Sequence, residues 1–120
     1  MPRIESEEKI KLFLKLHNRI SVFIHKDGSL SSRDSIPGDS GRYKEYDING
    51  SLRHEGSYYQ CRWRGKFITY WPGTDKIKEE SYYIDGWCHK FKSWDLSGKL
   101  IEDKIHVKKD VFAQKNEELK

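Results

Sequence analysis

The chain has few of the residues that support covalent or metal-based architectures. Its 120 residues include two cysteines, three prolines and one methionine. Two cysteines are too few for a disulfide framework, and we interpret Cys61 and Cys88 as reduced thiols. No run of 18 apolar residues is present, which argues against a membrane-spanning helix, and residues 1–8 lack the apolar core of a signal peptide. These absences lead us to expect a cytoplasmic protein.

Aliphatic core residues are also scarce, and aromatic residues take their place. Hydrophobic and charged residues each make up 35% of the chain, and the mean hydropathy is -0.92. The 4 Trp, 7 Tyr and 5 Phe residues can each bury roughly 150–250 Å², which would hold a thin sheet together. The net charge of +4 is a mild basic balance that favours an acidic protein, nucleic acid or anionic lipid as partner.

The aromatic residues recur every 24 positions. The equivalent positions are Tyr43, Phe67 and Phe91; Tyr46, Tyr70 and Trp94; Trp63 and Trp87; and Lys66 and Lys90. A fixed period of this length is typical of repeat architectures. We therefore predict one domain over 1–120, with a capping segment and loop over 1–40, three hairpin repeats over 41–107, and a tail or short helix over 108–120. The run Asp27-Gly28-Ser29-Leu30 resembles a degenerate fourth copy.

Each repeat has the pattern of a strand, a turn and a strand. Asp85-Gly86 and Asn49-Gly50 favour type I′ turns, because both central residues need positive φ, and their flanks are rich in strand-forming residues. The predicted fold is mainly all-β: an antiparallel hairpin-repeat meander that forms a single twisted sheet. A less secure turn at Cys61-Arg62 would set Tyr58 opposite Gly65.

A two-residue turn at Asp85-Gly86 also predicts a register for the hairpin around it. The predicted pairs are Ile84 with Trp87, Tyr82 with His89, Ser81 with Lys90, and Glu79 with Lys92. The last pair would place opposite charges across the hairpin, which contributes a few tenths of a kcal/mol.

The segment from Lys9 to Leu16 fits two structures. Its leucines and Ile10 alternate with other residues, as in a strand, yet Glu, Lys and Leu are good helix formers. As a helix, its apolar residues would point all round the axis, so we predict a strand. A second strand over Ile20–His25 should end at the turn Lys26-Asp27-Gly28, and residues 29–40 are predicted to form a loop. We take Ile10–Leu16 and the C-terminal segment as candidate caps for the open edges of the sheet.

The run from Tyr83 to Leu100 resembles the MORN-type repeat variant of YwqK-like bacterial antitoxins. The first half of the pattern is an aromatic residue, any residue, Asn or Asp, and then Gly; in this chain it is matched by Tyr83-Ile84-Asp85-Gly86, followed by Trp87. The second half has two spaced aromatic residues and then Gly-x-Leu. It is matched by Phe91, Trp94 and Gly98-Lys99-Leu100. The resemblance covers roughly residues 41–107. It departs from the pattern at Arg62, which replaces the turn glycine, and at His89, which replaces a later glycine. The resemblance implies an elongated single-layer sheet with a scaffolding or protein-binding role, in some cases membrane-associated.

No motif in the chain predicts catalysis or a cofactor. The five histidines and two cysteines show no metal-ligand spacing, and neither a nucleophile elbow nor a phosphate loop is present. The carboxylates Glu79-Glu80 and Glu102-Asp103 are interpreted as solvated strand residues facing lysines. We therefore expect no enzyme activity, no cofactor and no metal.

The function is expected to lie on one face of the sheet. Phe67, Phe91, Trp63 and Trp87 share one strand parity, so they should form an aromatic core face, and Tyr46, Tyr70 and Trp94 should emerge on the opposite, basic face unless a bulge intervenes. Aromatic and Arg residues together are typical of binding hot spots. The predicted partner-binding residues are Tyr46, Arg62, Arg64, Lys66, Tyr70, Lys90, Lys92 and Trp94.

Three kinds of partner are compatible with this face. The first is a protein, favoured if acidic, which the chain would bind as an antitoxin, an immunity protein, another inhibitor or a scaffold. The second is single-stranded nucleic acid, whose bases stack on aromatic rings while cations follow the backbone. Association with a membrane surface has less support, because no amphipathic helix of adequate length is evident.

Overall fold

A computed structural model describes residues 2–106, with side chains from residue 7 onward. It contains one helix and nine strands in this range: α1 (Pro2–His17), β1 (Ser21–His25), β2 (Leu30–Ser31), β3 (Ser40–Tyr46), β4 (Leu52–Tyr59), β5 (Arg62–Trp63), β6 (Gly65–Tyr70), β7 (Ile77–Ile84), β8 (Trp87–Trp94) and β9 (Leu100–Ile105). The strands form one open antiparallel sheet in the order β2-β1-β3-β4-β6-β7-β8-β9, with β5 paired to β4. The predicted hairpin meander is confirmed. The predicted tail or short helix over 108–120 lies outside the described residues.

The strand prediction for Lys9–Leu16 is wrong, because this segment belongs to α1. Lys15 and His17 lie in the last turn, where positive charge is favourable to the helix dipole. Asn18 then adopts a left-handed φ of 53°, and the Arg19 amide donates to the Leu14 carbonyl at 2.9 Å. This is the hydrogen bonding of a Schellman C-cap, which ends the helix. The alternation of leucines was given more weight, so this helix end was not predicted from the sequence.

Helix α1 covers one face of the sheet at its N-terminal end. Ile10 and Leu14 pack against Val22 of β1 and Tyr46 of β3, and all four side chains are buried. The apolar residues of α1 do point in several directions, since Leu16 on the same helix is 73% exposed. Burial of one i, i+4 pair against the sheet was enough to select the helix. We call this side of the sheet the helix face.

The 24-residue period is a structural repeat. The register shifts at the junctions Glu45/Tyr46, Thr69/Tyr70 and Ser93/Trp94, which are 24 residues apart. At each junction the partner strand carries one extra residue, as in a β-bulge. Because the extra residue lies in the partner strand, the parity of β3, β6 and β8 is unbroken across these three junctions. Tyr46, Tyr70 and Trp94 therefore lie on the opposite face from Tyr43, Phe67 and Phe91, as predicted.

The turns alternate between short and long. Asp85-Gly86 is the predicted type I′ turn, with φ of 52° and 79°. At Asn49-Gly50 only the glycine has positive φ, and the Asp47 amide donates to the Ser51 carbonyl. This hairpin therefore has a three-residue loop, a type I turn followed by a left-handed glycine, and the type I′ prediction for Asn49-Gly50 is wrong.

The predicted turn at Cys61-Arg62 is displaced by one residue. The turn residues are Gln60 and Cys61, both with positive φ, and Tyr58 pairs with Trp63 rather than with Gly65. The chain then bulges at residues 64–65, and the pairs His54–Thr69 and Glu55–Ile68 return to the register that the predicted turn implied.

A second bulge changes the register of the β7–β8 hairpin. Ile84 pairs with Trp87 as predicted, but the register shifts between Tyr82 and Tyr83. The observed pairs are Tyr82 with Lys90, Ser81 with Phe91, Glu80 with Lys92, and Glu79 with Ser93. The predicted pairs Tyr82–His89, Ser81–Lys90 and Glu79–Lys92 are therefore wrong. His89, which stands where the repeat pattern has a glycine, is the extra residue of this bulge.

The other face of the sheet carries the aromatic residues, and we call it the aromatic face. The Tyr43 and Trp63 ring centroids are 5.0 Å apart, as are those of Trp63 and Phe67. Tyr43 and Phe67 also stack at 6.1 Å across Gly56, where a Cβ would lie 2.2 Å from Phe67 Cδ2. The prediction that Trp87 lies on the aromatic face together with Trp63, Phe67 and Phe91 is wrong. Trp87 pairs with Ile84, next to the pair Tyr83–Cys88, so the bulge turns it to the helix face.

Segment 32–39 crosses the aromatic face at the N-terminal end. Strands β2 and β3 flank β1 and run parallel to each other, so the connection between them must pass over β1. His25 Nδ1 lies 2.8 Å from Asp39 Oδ2, and Pro37 is fully buried. Phe23 and Tyr58, at 4% and 2% exposure, lie beneath this crossover.

Candidate functional site

Beyond β4, the helix face is not covered by α1, and basic and aromatic side chains form a row across it. Lys66 of β6 pairs with Tyr82 of β7, and Tyr82 pairs with Lys90 of β8. Directly paired residues lie on the same face about 4.5–5.5 Å apart, so the Tyr82 side chain stands between two lysine side chains. The Tyr82 side chain is 46% exposed. A partner can therefore reach the ring and both charges together.

A groove adjoins this row at the end of the sheet that carries the turns Gln60-Cys61 and Asp85-Gly86. Tyr59, Arg62, Arg64 and Ile84 line it together with Tyr82, and its volume is about 410 Å³. It forms where the turns at Gln60-Cys61 and Asp85-Gly86 approach each other, fixed by a 3.1 Å hydrogen bond from the Gly86 amide to the Trp63 carbonyl. We call the groove and the row together the basic patch: Tyr59, Arg62, Arg64, Lys66, Tyr82, Ile84 and Lys90.

An aromatic ring holds one of the two arginine side chains of the patch, Arg64, in place. The Arg64 guanidinium carbon lies 4.9 Å from the centroid of the Tyr59 ring, within the range of a cation–π contact. Tyr59 itself remains 43% exposed. This contact reduces the conformational freedom of Arg64 before any partner binds, which lowers the entropy cost of binding.

The structure separates the predicted binding residues into two groups. Arg62, Arg64, Lys66 and Lys90 all lie in the basic patch. Tyr46 does not, because it is buried beneath α1 at 5% exposure, with its hydroxyl 3.1 Å from Glu7 Oε1. Its burial makes it a core residue, and we exclude it from the candidate surface.

The remaining predicted residues lie on the helix face but have partners within the protein. The Tyr70 hydroxyl donates to Glu55 Oε2 at 2.5 Å, and burial together with this carboxylate raises the pKa of Tyr70 above its usual range. Trp94 lies at a bulge, paired with Leu100. Lys92 pairs with Glu80 on one side and Asp103 on the other, so acidic side chains offset its charge.

Sequence reasoning missed Tyr59, Tyr82 and Ile84, three exposed apolar side chains of the patch. The bulge at Tyr82/Tyr83 explains the omission of Tyr82, because the uninterrupted register paired it with His89 rather than with Lys90. The recurring run Ser57-Tyr58-Tyr59 and Ser81-Tyr82-Tyr83 was a signal, since adjacent tyrosines on a strand must point to opposite faces.

A second polar constellation lies on the aromatic face, around His25. Its Nδ1 is 2.8 Å from Asp39 Oδ2, and its Nε2 is 2.7 Å from Ser31 Oγ. An ionised carboxylate only accepts, so the contact with Asp39 places Nδ1 as the donor. The Tyr58 hydroxyl lies 3.2 Å from the same Nδ1. Since these groups belong to β1, β2, β4 and the crossover, we interpret them as a clasp that fastens segment 32–39.

The order Ser31–His25–Asp39 is also that of a hydrolase triad. Acyl transfer further requires donors aimed at a developing oxyanion and space for a substrate beside the hydroxyl. The surface grooves described in this structure are lined by other residues. The clasp interpretation accounts for all three hydrogen bonds without a reaction.

Within residues 2–106, no group of three or more His, Cys, Asp or Glu side chains is placed to hold a metal ion. Cys61 and Cys88 are free thiols. Over the same residues, no helix has the length and apolar character that crossing a membrane requires. Comparison with known proteins adds no assignment: no family model, curated protein or solved structure matches the chain.

Proposed function

We propose that the protein is a non-enzymatic binding module that docks an acidic segment of a protein partner on the basic patch. One observation carries the proposal: Tyr82 is exposed between Lys66 and Lys90, beside a groove that holds two arginines. Tyrosine and arginine are enriched among the residues that dominate binding energy at protein interfaces. The surrounding cations would pair with carboxylates of the partner.

The distribution of charge favours a protein over a nucleic acid strand. A strand presents regularly spaced phosphates and needs a continuous basic track. On the helix face that track is interrupted, because the row next to Lys66–Tyr82–Lys90 runs Ile68, Glu80, Lys92 and Asp103. Across β6–β9, Lys66 and Lys90 therefore have no acidic partner in the ladder, whereas Lys92 has two, a pattern that suits a compact acidic epitope.

The resemblance to YwqK-like antitoxins supports an inhibitory role for such binding. In that reading the acidic partner is a toxin or enzyme whose surface the patch covers, and a scaffolding role would use the same contacts. Electrostatic complementarity would speed association and make it sensitive to salt.

The double variant Lys66→Glu/Lys90→Glu tests the proposal. We expect its affinity for the native partner to fall at least about tenfold, because two attractive pairs become repulsive. The variant Lys9→Glu/Lys26→Glu is the matched control, since it makes the same change of net charge at exposed positions outside the patch. Wild type, variant and control would each be used to purify partners from the native host, with quantitative mass spectrometry.

The proposal requires an acidic protein that wild type and control retain and the patch variant loses. Equal recovery by all three forms would contradict it. Once such a partner is identified, titration calorimetry at two salt concentrations would confirm that binding weakens as salt rises.

Single-stranded nucleic acid is the second candidate, favoured by the exposure of the Tyr82 ring between two cations. It predicts that an oligonucleotide binds with strongly salt-dependent affinity, and that Tyr82→Ala removes about 1–3 kcal/mol of stacking. Fluorescence anisotropy with a labelled single strand would measure both. Binding that the Lys66→Glu/Lys90→Glu variant abolishes would replace the protein proposal with this one.

A further inference from the structure

Strand β9 is the exposed edge of the described sheet, and it carries apolar side chains. Leu100, Ile101 and Ile105 are 46%, 60% and 64% exposed. At the opposite edge, β2 has only two residues. A long edge strand with exposed aliphatic side chains is a template for pairing with another strand.

The hydrogen bonds of the β8–β9 ladder show which backbone groups β9 leaves free. The His106 amide donates to the His89 carbonyl, in the same register as the pairs Lys90–Ile105 and Lys92–Asp103. In an antiparallel ladder, hydrogen-bonded and non-hydrogen-bonded pairs alternate. Asp103 and Ile105 are therefore in non-hydrogen-bonded positions, and their amides and carbonyls point outward from the sheet.

We propose that two copies of this chain pair antiparallel through β9, with the two-fold axis at Asp103, to form one continuous sheet. This register joins the outward amide and carbonyl of Asp103 to those of Asp103 in the second copy. It also sets Glu102 of each copy opposite Lys104 of the other. Both residues already pair within one chain, with Lys104 Nζ 2.9 Å from Glu102 Oε2, so four alternating charges would meet on the aromatic face.

The other symmetric registers are less favourable. If the two-fold axis lay at Glu102, the Glu102 carboxylates of the two copies would face each other. If it lay at Lys104, the two Lys104 ammonium groups would face each other. The register centred on Asp103 also opposes like charges, but Lys92 of each copy pairs with that carboxylate from β8. It further brings Ile101 of one copy next to Ile105 of the other at both ends of the contact. An isologous contact of this kind closes at two copies.

Pairing through β9 does not depend on the proposed function, and it leaves the basic patch accessible. A two-fold axis perpendicular to the sheet keeps the helix faces of both copies on the same side. A dimer would therefore present two patches in one direction, and a partner with two acidic sites would gain avidity.

Charge reversal at the edge tests the pairing. Sedimentation equilibrium on the full-length chain, over a wide concentration range, should show a monomer–dimer equilibrium. We expect Glu102→Lys alone and Lys104→Glu alone each to raise the dimer Kd at least about tenfold, because each creates two like-charge pairs across the interface. The double variant Glu102→Lys/Lys104→Glu restores complementarity and should return the Kd to within about threefold of wild type.

Asp103→Asn provides an independent arm, because it removes the one like-charge pair and should tighten the dimer about threefold or more. All four variants carry changes in the edge strand alone, and circular dichroism would confirm that each variant folds. A chain that stays monomeric at all concentrations overturns the proposal. So does a dimer that the single reversals leave unchanged, or one that the double reversal does not restore.

Discussion

The N-terminal half of the sheet is covered on both faces, whereas the C-terminal half is a single layer over the described residues. Helix α1 lies over one face of β1 and β3, and segment 32–39 crosses the other. All the buried hydrophobic residues lie in this half: Ile10, Leu14, Val22, Phe23, Tyr46 and Tyr58. In β7–β9 the one buried side chain is Ser93, at 8% exposure. The same hairpin repeat is thus buried where it is covered and exposed where it is bare, and under the proposed function the exposed half presents the binding surface.

The largest expected effect follows from truncating the helix–sheet contact. Leu14→Ala should lower the free energy of unfolding by about 2–5 kcal/mol, because it leaves a cavity between α1 and Val22. Leu16→Ala is the matched control, since Leu16 lies on the same helix at 73% exposure, and its effect should stay within about 0.5 kcal/mol. Urea denaturation measures both. Equal losses would show that α1 does not cover the sheet as described.

A close backbone contact gives the next effect. At Gly41 a Cβ would lie 2.2 Å from the Ile24 carbonyl oxygen and 2.6 Å from the Tyr58 hydroxyl. We expect Gly41→Ala to destabilise the protein by about 1–3 kcal/mol, the range for overpacking. At Gly38 the nearest atom to a Cβ is Cys61 Sγ at 3.7 Å, so Gly38→Ala should be neutral or slightly stabilising. Thermal denaturation of both variants compares them, and a tolerated Gly41→Ala would contradict the close packing of β1 and β3.

The smallest effect concerns alkaline pH. Burial and the carboxylate of Asp39 raise the pKa of Tyr58 to about 12, from 10.0. The folded state therefore holds this proton more tightly than the unfolded state, and the resulting stability is complete below pH 10 and is lost as pH rises from about 10 to 12. Tyr58→Phe removes the titrating group, so its stability should fall less steeply over this window. Urea denaturation at several pH values tests this, and identical slopes would contradict it.

How far the sequence predicts the fold depends on the kind of signal. The spacing of large aromatic residues was sufficient to predict the repeat, the main strands and the existence of two different faces, because strand parity and turn glycines are local properties. The bulges were not predictable in position, because the extra residue His89, between the pairs Tyr82–Lys90 and Tyr83–Cys88, is not of a type that marks a bulge. The helix at residues 2–17 was missed for a different reason. Over residues 7–17 its buried hydrophobic side chains are Ile10 and Leu14, and which residues a helix buries depends on the sheet it packs against.

The candidate site was predictable in its charges and not in its aromatic residues. Arg62, Arg64, Lys66 and Lys90 were assigned to one surface by parity alone, and the structure places them there. Tyr46 obeys the same parity, yet α1 covers it, so the alternation that identified its face could not show its burial. Tyr82 came to lie between two lysines only through the bulge at Tyr82/Tyr83. Register errors of one residue are therefore sufficient to move the centre of the candidate surface.

Native-state hydrogen exchange, resolved by strand, tests most directly the claim that the covered half stabilises the fold and the bare half presents the surface. The free energy of local opening should be highest for amides of β1, β3 and β4, and exchange in β8 should be at least about tenfold faster, since strands with few buried contacts open locally. Hydrogen-bonded amides of β8 and β3 provide the comparison, because each of these strands has neighbours on both sides. Equal protection in β3 and β8, or slower exchange in β8, would contradict the division of the sheet into a stabilising half and a presenting half.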